Sequence, residues 1–372
     1  MAVIERVILV SPRGFCAGVV RAIATVERAL AVFGPPVYVR RAIVHNGHVV
    51  ARLAAAGAVF VDELDDVPRG RVVVFGAHGV AASVRELARA RDLRVVDATC
   101  PLVAKVHAEV SRFRRAGYDV VLVGHAGHDE VAGTLGQVTG IQLVEGVADV
   151  SGVRVGYSDR VACVTQTTLR PQEVEPVIDA LRHRFPTLER PAAADICYAT
   201  RNRQGAIEWL AQRVDVVLVV GDPTSSNSRH LREAAAATCG RSYLVGTEAE
   251  IEASWLSGAK VVGVSAGAST PNDLVSEVVD RLCRDGAVLQ EHAMVPERVA
   301  FSLPPGLAAT TRVRVSIKFG PKHVRVTRSA CPPRPAAMGF AVPRRPAPTP
   351  QTEHRCRCSA TTGACRAARW RR

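Results

Sequence analysis

The 372-residue sequence lacks any apolar run long enough to cross a bilayer; its unbroken stretches are of the size of Val216–Val220. Its first residues, Met1-Ala-Val-Ile-Glu-Arg6, lack the basic-then-apolar layout of an export signal. These two absences lead us to expect a soluble, cytoplasmic protein with no membrane partner. No Gly-x-x-x-x-Gly-Lys-Ser/Thr loop occurs, no Gly-x-Gly-x-x-Gly follows a strand, and the His-Glu-x-x-His zinc pattern is missing. Nucleotide, nicotinamide and zincin chemistry therefore have no support. The body of the chain also has no close Cys-x-x-Cys pair, the usual form of a structural zinc site. Acids all but vanish from one end: residues 307–372 hold fifteen Lys/Arg and one carboxylate, Glu353.

That stretch carries all the basicity. The formal charge of +13 belongs to it, and Met1–Gly306 is close to neutral. It is rich in Arg and Pro, with Cys331, Cys356, Cys358 and Cys365, and its apolar residues recur at no period, so disorder is expected for 307–372. Three readings apply to it: a dispensable extension or shifted frame, an arm that binds nucleic acid by counterion release, or a weak zinc site at Cys356-Arg-Cys358 with Cys365.

The rest, with 48% hydrophobic and 22% charged residues in the whole chain, is neither collagen, coiled coil nor wholesale disorder. Short Val/Ile-rich runs (Val7–Val10, Val72–Phe75, Val120–Val123, Val216–Val220, Val261–Val264) alternate with stretches of helical period such as Val19–Val32 and Leu102–Arg115. β-branched runs without polar alternation predict parallel strands covered on both faces, hence an α/β fold.

Within this pattern a unit recurs three times. Cys16, Cys100 and Cys197 each follow a strand or turn and open a helix. Polar loops then come at matched offsets: His45 is 29 residues after Cys16, His128 is 28 after Cys100, and Ser225 is 28 after Cys197. A further strand ends in a second polar loop, at His78, Thr167 and Ser269. Units of 1–100, 101–196 and 197–306 are expected, with the N-terminal strand a candidate member of the third. Ligands of open parallel sheets bind beyond the carboxyl ends of the strands. Three such units facing one another would bring their cysteines to one point, ringed by His, Ser, Thr and Asn.

Three thiolates from separate units suit an iron–sulfur cluster or a zinc ion with one open position. Single, widely separated cysteines favour the cluster, with one iron left for substrate. The ring of His45, His78, His128, Ser225, Ser226, Asn227 and Ser269 offers neutral or switchable donors of the kind that surround phosphate oxygens. Glu130, closely following His125 and His128, suits a general acid once out of water. A zinc hydrolase built on His125, His128 and Glu130 is a weaker reading. Cys163, Cys239 and Cys283 read as structural.

The motifs Pro12-Arg-Gly-Phe-Cys16, Val44-His45-Asn, Ala77-His78-Gly, Asp97-Ala-Thr-Cys100-Pro, Gly124-His-Ala-Gly-His128-Asp-Glu130, Thr165-Gln-Thr167-Thr168, Asp195-Ile-Cys197, Ser225-Ser226-Asn227-Ser and Ala266-Gly-Ala-Ser269 together resemble the 4-hydroxy-3-methylbut-2-enyl diphosphate reductases, over about residues 5–305. The resemblance implies a trefoil of three α/β domains around one 4Fe–4S cluster held by Cys16, Cys100 and Cys197. It implies that His45, His78, His128, Ser225, Ser226, Asn227 and Ser269 grip the diphosphate of an allylic substrate. Thr167 would orient the substrate hydroxyl and Glu130 would supply protons. Two electrons, from a ferredoxin or flavodoxin, and two protons would expel water and leave isopentenyl and dimethylallyl diphosphates. The main rival is a non-enzymatic metal or iron–sulfur regulator that uses the basic tail on nucleic acid.

Overall fold

Val216–Val220 shows why these sequences form parallel strands. All five of its residues are wholly buried. Val217 and Val219 face one helical layer, with Ile207, Leu210 and Leu231, while Val216, Leu218 and Val220 face another, with Leu274, Val275 and Val278. Each such side chain contributes on the order of 1.5–3 kcal/mol by leaving water, and only a strand sandwiched between helices can bury both of its faces.

The computed structural model describes residues 4–307. The expectations for the basic tail, including its disorder, its nucleic-acid arm and its cysteines, lie outside the described residues from 308 onward. Leu307 itself is buried in the first hydrophobic core, beside Val19 and Val44.

The chain runs β1 (Arg6–Ser11), α1 (Ala17–Phe33), β2 (Val37–Arg40), α2 (Gly47–Ala55), β3 (Ala58–Val61), β4 (Val72–Phe75), α3 (Ala82–Ala90), β5 (Arg94–Asp97), α4 (Pro101–Arg115), β6 (Asp119–Val123), α5 (Asp129–Leu135), β7 (Gln142–Val144), β8 (Val161–Thr165), α6 (Pro171–Arg184), α7 (Tyr198–Ala211), β9 (Val216–Val220), α8 (Ser226–Ala236), β10 (Ser242–Val245), β11 (Val261–Ala266), α9 (Asn272–Cys283) and β12 (Val288–Ala293), with short 3-10 turns between. The fold is α/β, with three small sheets ordered β3-β2-β4-β5, β7-β6-β8 and β10-β9-β11-β1-β12. Every strand pairing within them is parallel.

The repeat is visible in those orders. Each sheet contains one triplet in the same arrangement, β3-β2-β4, β7-β6-β8 and β10-β9-β11. The first is extended by β5, and the third by β1 and β12. β1 pairs with β11 from Arg6 opposite Val261, so the N-terminal strand lies in the last sheet, far along the chain from its neighbours in sequence. No described helix is long and apolar enough to cross a membrane.

Within each triplet the first strand leads into a helix through a polar loop, carrying His45, His128 or Ser225. The last strand ends in the loop carrying His78, Thr167 or Ser269. All six loops therefore lie at carboxyl ends of parallel strands, where backbone groups leave the ladder and side chains are free to face a ligand.

Candidate active site

The three cysteines occupy the same structural position. Cys16, Cys100 and Cys197 are the N-caps of α1, α4 and α7. Their backbone N–H groups donate to Ala268 O (3.1 Å), Ala77 O (2.9 Å) and Thr167 O (3.0 Å), each in a loop that ends a triplet. The first unit's cysteine is thus pinned to the third unit's loop, which closes the ring. Helix N-termini carry partial positive charge, which favours a thiolate. Burial acts the other way: it pushes the Cys100 thiol up to about 12, helped by Cys16 and Cys197, and raises Cys197, with Cys16 adding to the shift. Thiols held this close, with Cys16 raising both Cys100 and Cys197, suit a cationic centre, which would draw them to thiolates.

The donor set discriminates between centres. An added Cβ at Gly18 would stand 2.7 Å from the Cys100 sulfur and 3.8 Å from the Cys16 sulfur, so the glycine leaves room between them. Among the described residues, the groups whose ligand atoms all lie within 4.8 Å of one another are His45–His78–Asp129 and His125–Glu173–His230. The three sulfurs do not form such a group, so at least one pair stands more than 4.8 Å apart, whereas Zn–S bonds of about 2.3 Å would hold all three about 3.8 Å from one another. That spacing is wider than a single tetrahedral ion sets.

Beside Cys197 is a buried acid. Glu130, 2% exposed, accepts the Thr167 N–H on Oε1 (2.7 Å) and the Thr167 hydroxyl on Oε2 (2.9 Å). Burial pushes its carboxyl up to about 7; the two Thr167 bonds oppose this and Asp195 adds to it. Thr167 and Glu130 therefore form one hydrogen-bonded pair, with the carboxyl raised toward neutral pH. Cys197 is held in turn by Thr200, whose N–H donates to the sulfur at 3.3 Å and whose hydroxyl donates to Thr167 O.

The remaining residues form a ring drawn from all three triplets. His45 stacks on His78 with centroids 4.1 Å apart, and His128 meets both edgewise at 5.3 and 5.7 Å. His128 caps α5, its Nδ1 accepting the Glu130 N–H, and Gly127 (φ 79°) makes the sharp turn before it. Ser269 donates to His45 O at 2.9 Å and lies 3.4 Å from the Ser225 hydroxyl. Thr168 and Ser226 hydroxyls are 3.2 Å apart. Asn227 Oδ1 accepts the Ala268 N–H, which leaves its Nδ2 buried without a partner, as is His45 Nε2. Buried donors without acceptors cost free energy unless a ligand completes them.

The ring's electrostatics point the same way. Burial lowers the pKa of His45, takes that of His78 well below the ordinary imidazole value, and takes that of His128 to about 4. His45 also disfavours protonation of His78 and His128, while Asp129, which pairs with Arg41, partly offsets burial at His45 and His128. Three neutral imidazoles, buried hydroxyls and the N-terminus of α8 make a pocket with donors to spare, and the nearby carboxylates Asp129 and Asp222 are engaged by Arg41 and the Gly47 N–H. Such a pocket suits a polyanion.

Two expectations separate here. His125 does not join His128 and Glu130; its ring turns to His230, 5.4 Å away. The three residues of the hydrolase reading therefore do not share a centre. Cys163 lies in β8 at 1% exposure among aliphatic neighbours, apart from the other sulfurs.

Sequence reasoning missed the residues that hold the site from behind. Arg203, 1% exposed, donates to Gly14 O, two residues before Cys16, and to Ala199 O, two after Cys197. Its charge is met by Glu297 at 3.0 Å. Asp195 accepts Lys105 Nζ at 2.7 Å and the Thr165 N–H at 2.9 Å, joining the helix of Cys100 to the approach to Cys197. Arg21 donates to Thr99 O, beside Cys100, and to Ser302 O. An Arg in mid-helix carries no spacing signal, since the partners of Arg203 outside its own helix, Glu297 and Gly14, lie 94 and 189 positions away.

This arrangement has close relatives. The family described as LytB protein matches residues 7–283. The 4-hydroxy-3-methylbut-2-enyl diphosphate reductase of Azoarcus sp. (strain BH72) is 53% identical over 305 residues, covering 82% of this chain and 98% of that protein. That of Aromatoleum aromaticum is 54% identical over 302 residues, covering 81% and 97%. The solved structure of the E-1-hydroxy-2-methyl-but-2-enyl-4-diphosphate reductase from Plasmodium falciparum superposes with a TM-score of 0.79 at 35% identity, over 82% of this chain and 97% of that one. Three capping cysteines, a buried Glu130–Thr167 pair and a ring of His, Ser and Asn on a scaffold matched almost end to end by these reductases lead to one assignment: the chain belongs to the LytB protein family.

Proposed function

We propose that this chain reduces 4-hydroxy-3-methylbut-2-enyl diphosphate, expelling its hydroxyl as water with two electrons and two protons to give isopentenyl and dimethylallyl diphosphates. The observation that carries the proposal is the approach of three helix-capping cysteines, Cys16 and Cys100 on either side of Gly18 and Cys197 near enough to affect the ionisation of Cys100, with Glu130 and Thr167 hydrogen-bonded beside Cys197. Cys16, Cys100 and Cys197 are the residues that would hold a 4Fe–4S cluster, one per chain. When bound, it supplies one-electron transfer and a Lewis-acidic iron.

The chain's own residues do the rest. His45, His78, His128, Ser225, Ser226, Asn227 and Ser269 bind the diphosphate, whose charge finds donors without partners. Remote binding energy then fixes the short carbon chain, which has no polar handle of its own except the hydroxyl. Thr167 orients that hydroxyl. A protonated Glu130 donates from Oε2 to the Thr167 oxygen, and Thr167 turns its own proton to the departing oxygen, so one proton crosses without a free ion. Glu130 is near half-protonated at pH 7, so it can give a proton and take another from solvent in each cycle. Electrons come from an external donor of the ferredoxin or flavodoxin class.

The test is anaerobic purification with iron and sulfide analysis, followed by turnover of the allylic diphosphate with an artificial reductant. About four irons and four sulfides per chain with release of both C5 diphosphates is the expected result. A chain without iron, or a loaded one without dehydroxylation, would overturn the proposal.

A further inference from the structure

We infer that His125, Glu173 and His230 form a second metal site, for one divalent ion of the zinc class, joining the second and third triplets behind the anion ring. His125 is in the loop between β6 and α5, Glu173 is in α6 and His230 is in α8. Their ligand atoms already lie within 4.8 Å of one another.

The strongest indication is how His230 is held. It is 4% exposed, and its Nδ1 lies 2.9 Å from Thr168 O. A carbonyl can only accept, so Nδ1 carries the hydrogen and Nε2 is the nitrogen left to take a metal ion. Backbone carbonyls fix metal-ligating histidines in this way. That Nε2 faces Glu173 Oε2 at 3.8 Å, beyond hydrogen-bond range.

The other two ligands are supported too. The Arg170 guanidinium takes Glu173 Oε1 at 2.6 and 2.9 Å, leaving Oε2 with only the Arg170 N–H at 3.2 Å. Glu233, 3.9 Å from Arg170, balances part of that cation. Gln166 accepts the His125 N–H at 3.0 Å and donates to the Thr168 hydroxyl at 2.8 Å, so one side chain positions both histidine supports. Metal–ligand bonds of about 2.0–2.2 Å need ligand atoms about 3.3–3.5 Å apart, a closure that side-chain rotation supplies. Two imidazoles and one carboxylate suit zinc and leave a fourth position for water.

The site lies one helical turn beyond Ser226, whose hydroxyl touches Thr168. A bound ion would therefore fasten α8 to the β6 loop without using any residue assigned to the substrate or the cluster.

The experiment is equilibrium dialysis of the anaerobic, cluster-loaded full-length chain against Zn2+, with zinc, iron and sulfide measured together. The wild type should hold one more zinc than His230→Gln, His125→Gln and Glu173→Gln, or bind it about tenfold more tightly or better. Zinc at other groups is common to all four proteins and cancels. Unchanged iron and sulfide, with an unchanged melting temperature without zinc, identifies variants that fold normally. Zinc should raise the melting temperature of the wild type and not that of the variants. Equal zinc affinity and stoichiometry in all four proteins overturns the inference, whatever the iron content.

Discussion

Cys163 is buried and Cys100 half-buried, and desolvation pushes both thiols up to about 12, yet only Cys100 stands among other cysteines. Cys163 lies mid-strand among Val121, Val161 and Val177, where its sulfur meets only the Val164 carbonyl at 3.6 Å. Cys100 opens a helix, with two other sulfurs near enough to affect its ionisation and a glycine opposite. Environment in the sense of burial does not separate a ligand from a core residue. What separates them is the element end on which the sulfur stands and what the rest of the chain brings to meet it.

The largest effect expected from that contrast is at the caps. Cys16→Ser, Cys100→Ser and Cys197→Ser should each lose most of the bound iron, the brown absorption and nearly all turnover, and Cys163→Ser should keep them. A cap variant with full iron and activity would break the distinction. Gly18→Ala puts a methyl 2.7 Å from the Cys100 sulfur and should also lower iron content, although it removes no ligand.

Next in size is Glu130→Gln. It should retain iron but turn over about 10²–10⁴-fold more slowly, as expected on removing a general acid. It should also change the pH dependence of folding. Because the folded pKa of about 7 lies above the ordinary 4.5, this group's contribution to stability is whole below pH 4.5. It is lost as the pH climbs to about 7 and is flat thereafter. Melting temperatures of the wild type from pH 4.5 to 8 should show a loss of a few kcal/mol that the variant lacks. Parallel curves for both proteins would show that the carboxyl is not buried as described.

Smaller, and acting through the cysteines, is the clamp. Breaking a buried ion pair by removing one partner costs about 3–5 kcal/mol. Arg203→Met should therefore melt at lower temperature and lose iron faster on dilution. Lysine, which cannot reach Gly14 O, Ala199 O and Glu297 together, should rescue only part of this. The two readouts moving apart, with stability lost and iron unaffected, would limit Arg203 to folding.

At the anion ring, binding of inorganic diphosphate at pH 7 should take up protons, because negative charge beside neutral imidazoles raises their pKa values. Calorimetry in buffers of different ionisation enthalpy measures this; no buffer dependence would mean that the imidazoles stay neutral. Least of all, Cys163→Ser should cost on the order of 1 kcal/mol, the price of a hydroxyl where a thiol had packed as a small apolar group.

Much of this was legible in the sequence. Val72–Phe75 and Val216–Val220 are read to the residue as strands, because fully buried parallel strands leave an unmistakable β-branched run. Cys16, Cys100 and Cys197 announce themselves through matched offsets, and the family motifs add the ring. The edge strands β3, β7 and β10 are not marked so clearly, since Ala58–Val61 and Gln142–Val144 are short and partly exposed. The supports of the site are marked least: Asp195 stands in a motif but without a role, and Lys105, Arg203 and Glu297 resemble any surface charge until their distant partners are known.

The order of strands and helices, the capping position of each cysteine and the chemistry of each loop were determined locally, by β-branching, helix period and turn residues acting within a few positions. Which sulfur meets which, how Glu130 comes to be buried against Thr167, and that His125 leaves its neighbours for His230 were decided only on packing. Those contacts join residues tens to hundreds of positions apart, and no local preference of the chain encodes the distance between them.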